Sequence, residues 1–112
     1  MLGKLFNNEP DPREITNADA AKIYEEKGAT FVDVREPEEW AEGHMPGAVH
    51  IPLGDLQRRA GELPKEGDII TVCRSGGRSL DAVDILERTG RPGAKSMAGG
   101  MIEWQKSGRP VE

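Results

Sequence analysis

The chain has 112 residues, 36% of them hydrophobic and 31% charged, with a formal net charge of −5. That length fits one domain around one modest core, and the acidic balance argues against nonspecific attachment to nucleic acid or to anionic membranes. No apolar run approaches the ~20 residues of a membrane span, and the opening MLGKLF is too short for the apolar centre of a secretory signal, so a soluble cytoplasmic protein is expected.

Residues 1 to 13, MLGKLFNNEPDPR, carry two prolines and two asparagines without periodicity and read as a tail before a domain over 14 to 112. Thr16 with Asp19 predicts a helix start, Ala20, Ile23 and Tyr24 continue at helical spacing, and Gly28 is placed to end that helix. TFVDV (30 to 34) reads as a buried strand. EPEEWAEG (36 to 43) predicts a short helix, with Pro37 in its first turn beside acidic residues that suit the helix dipole.

AVHIP (48 to 52) predicts a second strand, LGDLQRRAGEL (53 to 63) a helix or pair of turns, and DIITVC (68 to 73) a third, strongly β-branched strand. Beyond a glycine-rich turn, Leu80, Ala82, Val83, Ile85 and Leu86 form an apolar stripe opposite Asp81, Asp84 and Arg88, and Gly90 ends this helix. AKSMA (94 to 98) is a weak strand and GMIEWQKSG (100 to 108) a last helix. Strands alternating with helices predict an α/β fold with parallel strands and helices on both faces. Ligands of such sheets sit beyond the carboxyl ends of the strands, where Cys73 stands.

Cys73 is the only cysteine, so it forms no internal disulfide and is either inert or reactive. An arbitrary free cysteine is more often a small buried hydrophobe than a nucleophile. The loop CRSGGRS reverses that expectation, because flexibility and charge directly after the thiol serve no packing purpose. Gly76 and Gly77 let successive amides curl into an anion-binding nest. A helix beginning near Ser79 adds its positive end, and Arg74 and Arg78 add mobile donors for an oxyanion. The thiolate is the reactive form of cysteine, and such surroundings favour it.

The segments FVDVREPEEWAEGHMPGAVHIPL, TVCRSGGRS and AGGMIEW resemble a single-domain rhodanese, a sulfurtransferase module, over roughly residues 14 to 108. The resemblance implies a single rhodanese-like domain with about five parallel strands flanked by helices. It matches Cys73 to the family's persulfide-forming nucleophile, Arg74, Ser75, Gly76, Gly77 and Arg78 to the substrate-binding loop, and Ser79 to the start of the helix behind it. Asp33 and Arg35 match a pair that supports the site, and an ion pair locking two segments is their expected role. RPGAKSMAGG is poorer in large apolar residues than the family's usual last strand, and the N-terminal tail matches nothing in it.

Cysteine phosphatases close a C-x5-R loop around phosphate, whereas here four residues separate Cys73 from Arg78. The smaller ring suits one sulfur atom on the thiol better than a phosphoryl group, which makes phosphatase or arsenate reductase activity the weaker alternative. The expected reaction is transfer of sulfane sulfur from thiosulfate, a dianion suited to two arginines, through a Cys73 persulfide to cyanide or a thiol. Another class stays open: a sulfane-sulfur carrier, or a redox-sensing or interaction module, that hands sulfur to an acceptor protein without turnover. Neither requires a cofactor, a metal, nucleic acid or a membrane. His44 and His50 lack a third ligand and are read as hydrogen-bonding turn residues, and Trp40 and Trp104 as packing residues.

Overall fold

The β-branched run Asp68–Val72 forms the central strand, β4, of a five-stranded, wholly parallel sheet in the order β1-β5-β4-β2-β3. The other strands are β1 (Glu14–Ile15), β2 (Ala29–Asp33), β3 (Val49–His50) and β5 (Lys95–Met97). The fold is that of a computed structural model describing residues 11–112. Of the expected tail, residues 1–10 lie outside the described residues, and Asp11–Arg13 are tied to the domain. Arg13 pairs with Asp11 at 2.7 Å and with Asp84 at 2.9 Å, and its carbonyl accepts the Ser96 amide at 2.7 Å.

Alternation along β4 sorts the core into two layers. Ile69 and Cys73 point to one face, joining Val32, Leu56, Val83 and Leu86, and Ile70 and Val72 point to the other, joining Phe31, Met97, Met101 and Trp104. The first layer is covered by α3 (Leu53–Arg59), the 3-10 turn Ala60–Glu62 and α4 (Gly77–Arg88). The second is covered by α1 (Asn17–Glu25) and α5 (Gly100–Lys106). Helices on both faces bury most of β2 and β4, which is why these inner strands read as continuous apolar runs. Among the described residues no helix is long and apolar enough to cross a membrane.

Local signals account for most boundaries. Thr16 caps α1, its Oγ1 accepting the Asp19 amide at 3.1 Å. The short helix α2 (Pro37–Ala41) starts with proline and a capping box between Glu36 and Glu39. Gly28 does not end α1 in the way the sequence predicts. Lys27 takes the left-handed conformation, φ 55°, and the Gly28 amide reaches back to the Ile23 carbonyl at 2.9 Å. Strand β1 was not predicted, since two residues are too few to show alternation, yet Glu14 and Ile15 pair with Ser96 and Met97.

Candidate active site

Cys73 leaves the carboxyl end of the central strand, so the side chains around it come from both neighbouring strands and the helices that follow. The residue is 1% exposed, with the thiol turned toward the α3 and α4 layer. The Gly76 amide donates to Sγ at 3.1 Å. Gly76 alone of the glycine pair adopts a left-handed backbone, φ 113°, and caps α4, while Gly77 is its first helical residue. The helix therefore starts two residues earlier than predicted. A helix leaves its first amides without intrahelical acceptors, so the Gly77, Arg78 and Ser79 amides form the positive end beside the thiol.

Ser79 and Ser96 build the wall behind the sulfur. Both are fully buried. The Cys73 thiol donates to Ser79 Oγ at 3.3 Å, Ser79 Oγ donates to the Gly76 carbonyl at 3.1 Å, and the two serine hydroxyls lie 2.6 Å apart. A hydroxyl carries one proton, so while Ser79 donates to Gly76 it accepts from Ser96. If the thiol loses its proton, the Ser79 hydroxyl can turn to donate to the sulfur, joining the Gly76 amide. Thr71 pins the helix from the strand below, its Oγ1 donating to the Ser79 carbonyl at 2.8 Å.

The two loop arginines differ sharply. Arg74 is exposed, and among the described residues no carboxylate pairs with it. Arg78 departs from the expected mobile donor: its Nη1 and Nη2 grip the two oxygens of Glu39 at 2.7 and 2.8 Å. The Arg78 hydrogen bonds hold the Glu39 carboxyl down to about 2, and Glu39 raises the Arg78 guanidinium in turn.

Asp33 and Arg35 form the buried ion pair expected of them. Arg35 Nη2 lies 2.7 Å from Asp33 Oδ2 and also donates to the Gly43 carbonyl at 2.8 Å, while Nη1 reaches the Glu39 carbonyl at 3.2 Å. This pair thus holds the middle of α2, the helix that presents Glu39 to the loop, and the chain just beyond its carboxyl end. His44 and His50 accept the turn role read for them, contacting the carbonyls of Trp40 and Arg35 at 2.9 and 2.8 Å. Both rings also stack on Trp40, with centroids 3.6 and 4.6 Å away.

On the opposite side the loop rests on the start of α5. The Met101 and Ile102 amides donate to the Cys73 and Arg74 carbonyls at 2.9 and 3.1 Å. A cleft of about 200 Å³ opens beside the loop, lined by Arg35, Glu39, Glu42, Arg74, Ile102 and Gln105. A larger groove of about 570 Å³, lined by Tyr24, Phe31, Pro46 and Val49 among others, lies at the amino end of β2 and shares no residue with the cysteine loop. Of the two, only the smaller cleft includes a residue of the cysteine loop, Arg74.

The family description "Rhodanese-like domain" matches residues 16–107. The chain belongs to the rhodanese-like family. It is 40% identical over 100 residues to an HTH-type transcriptional regulator of Mycobacterium tuberculosis, covering 88% of this chain and 44% of the regulator. A chloroplastic thiosulfate sulfurtransferase of Arabidopsis thaliana is 35% identical over 99 residues, covering 76% of this chain and 81% of that protein. Among solved structures, a rhodanese-related protein from Thermoplasma volcanium superposes with a TM-score of 0.79 at 33% identity, covering 89% of this chain and 97% of the other. Sulfurtransferase relatives of this kind support rhodanese-type sulfur transfer in general.

The rhodanese-like domain brings Cys73, Gly76 and Ser79 together, with Gly77 and Arg78 in the same helical turn and Arg74 and Ser75 exposed on the loop. Asp33 and Arg35 stand one layer back, under Glu39 and Gly43. Sequence reasoning missed Ser96 and Glu39. Ser96 interrupts a weak strand with a small polar residue, a signal that a buried hydroxyl is wanted there. Glu39 is absorbed by its capping-box spacing from Glu36, which announces a helix start and conceals a second partner.

Proposed function

We propose that this rhodanese-like domain is a thiosulfate sulfurtransferase working through a Cys73 persulfide in a reducing compartment, the cytoplasm. The observation that carries the reading is the sulfur's position: Sγ sits 3.1 Å from the Gly76 amide at the mouth of the first turn of α4. The thiosulfate named for the Arabidopsis relative fits the exposed Arg74 beside those amides.

In the first half-reaction the Cys73 thiolate attacks the outer sulfur of thiosulfate. A new S–S bond forms, the old one breaks, and sulfite leaves with its electron pair. Charge is conserved, and the enzyme keeps a persulfide whose terminal sulfur bears the negative charge. The Gly76 amide and the positive end of α4 stand beside that sulfur, with the Ser79 hydroxyl within reach, so charge settles against preoriented dipoles. In the second half-reaction cyanide or a thiolate takes the outer sulfur, and Cys73 returns as thiolate. Proton transfer is not needed in the transfer to cyanide, which agrees with a site built from amides and hydroxyls. Asp33 and Arg35 act at a distance by holding α2 against the loop.

Intact mass after exposure to thiosulfate tests the reading. One added sulfur on the wild type, lost on cyanide treatment and absent from Cys73→Ser, is the expected result. No adduct on folded wild-type protein would end the proposal. A second reading is favoured by the Mycobacterium relative, a regulator of which this chain spans less than half: a domain that accepts sulfane sulfur and signals or delivers it. Steady turnover of thiosulfate and cyanide separates the two, since a carrier stops after one sulfur.

A further inference from the structure

Of the two arginines that the cysteine loop carries, one is neutralised by a carboxylate from a different element. Glu39, on α2, accepts both terminal nitrogens of Arg78. Its carboxylate is not free to swing away, because Oε1 also accepts the Glu36 amide at 3.0 Å, and its main chain is held by Arg35 Nη1 at 3.2 Å. The fork is partly screened from solvent, with side-chain exposures of 35% for Arg78 and 22% for Glu39. Arg78 lies in the first turn of α4, whose Gly76 cap donates to the thiol, so the pair stands beside the reacting sulfur. Glu39 lines the same cleft as Arg74 and Glu42.

The charges around that cleft therefore balance. Arg78 is matched by Glu39 and Arg35 by Asp33, while Arg74 and Glu42 both line the opening without pairing. Two arginines in a loop read as a trap for dianions, but in the folded site only Arg74 stays unpaired.

Resting on the sulfur-transfer reading above, we propose that Glu39 determines donor specificity: a fixed carboxylate that cancels Arg78 and penalises the second negative charge of a dianionic donor, so that the site favours singly charged sulfane-sulfur donors of the thiosulfonate or persulfide class. Thiosulfate is used, through Arg74 and the loop amides, but it is not the donor this charge arrangement prefers. In a partly solvated cleft, one unit of charge at this range shifts relative reactivity by roughly 3- to 10-fold.

Thiosulfate and methanethiosulfonate give the test, because they deliver the same sulfur and differ by one charge. With the latter the thiolate takes the sulfane sulfur, the donor S–S bond breaks, and methanesulfinate leaves with the electron pair. We would compare kcat/KM for the two donors, with cyanide as acceptor, in the wild type, Glu39→Gln, Glu39→Asp and Arg78→Ala. Glu39→Gln should raise the ratio of thiosulfate to methanethiosulfonate by roughly 3- to 10-fold, and Arg78→Ala, which leaves Glu39 uncancelled, should lower it by a similar factor. Glu39→Asp keeps the charge while shortening the fork, so it should slow both donors and hold the wild-type ratio.

A pair that only holds the loop in shape would affect both donors alike. An unchanged ratio, or ratios moving in one direction for Glu39→Gln and Arg78→Ala, overturns the proposal. Should Glu39→Gln fail to fold, Arg78→Ala against wild type decides by the sign of its shift. Wild-type protein that gains no sulfur from either donor refutes the sulfur-transfer reading itself, whereas an adduct with an unchanged ratio refutes only the role of Glu39.

Discussion

Gly100 lies with its backbone directly against that of Arg74: a Cβ added to Gly100 would stand 2.5 Å from the Arg74 carbonyl carbon, and equally close to the Cys73 carbonyl oxygen. With φ 56°, Gly100 is also in the left-handed region. This contact is what lets the first amides of α5 reach the Cys73 and Arg74 carbonyls. Gly100→Ala should cost more than about 2 kcal/mol, combining left-handed strain with a backbone collision that no side chain can relieve. Urea unfolding measures the loss, and wild-type stability in this variant would mean that the loop and α5 can separate freely.

Ser79 touches the sulfur, the Gly76 carbonyl and Ser96. Ser79→Ala removes a donor to the anionic sulfur while keeping the helix, and should slow iodoacetamide alkylation of Cys73 roughly tenfold near neutral pH, the scale of one hydrogen bond to a charged group. Ser96→Ala, one bond further away, should slow it less. An alkylation rate unaffected by Ser79→Ala would assign the serine to packing alone.

The Glu39–Arg78 pair should show in the acid stability of the domain. Arg78 lowers the Glu39 carboxyl from 4.5 to about 2 in the folded protein. A depressed carboxylate contributes stability that is fully present above its unfolded value and is lost as pH falls toward the folded one. Glu39→Gln should therefore destabilise the protein at about pH 7, and the gap between variant and wild type should narrow at about pH 3. Urea titrations at both pH values check it, and a gap that is constant or widens in acid contradicts the sign.

Lys27, exposed and left-handed at φ 55°, is a place where the sequence departs from the residue its backbone prefers. Lys27→Gly relieves that strain, offset in part by the greater freedom of glycine in the unfolded chain. A gain of roughly 0.5–1 kcal/mol is expected, seen as a higher melting temperature. A loss would show that the Lys27 side chain makes a contribution larger than its strain.

Much of this protein was legible in residue order alone, because local rules act over a few residues. β-Branched runs mark β2 and β4, Thr16 and Pro37 mark helix starts, Gly90 marks the end of α4, and the loop after Cys73 places a thiol beside glycines, arginines and a helix end. The rest is pairing between distant segments, which no local pattern encodes. Two-residue β1 exists only because β5 offers it an edge. Ser96 becomes part of the site because β5 lies next to β4, bringing a hydroxyl to Ser79 across 17 residues of chain. Glu39, 39 residues before Arg78, reaches it because β2 also borders β4 and Arg35 ties α2 down. The sequence alone determined that two arginines follow Cys73; only the tertiary structure decided that one of them is already held, since a charge can be cancelled by any carboxylate that folding brings within reach.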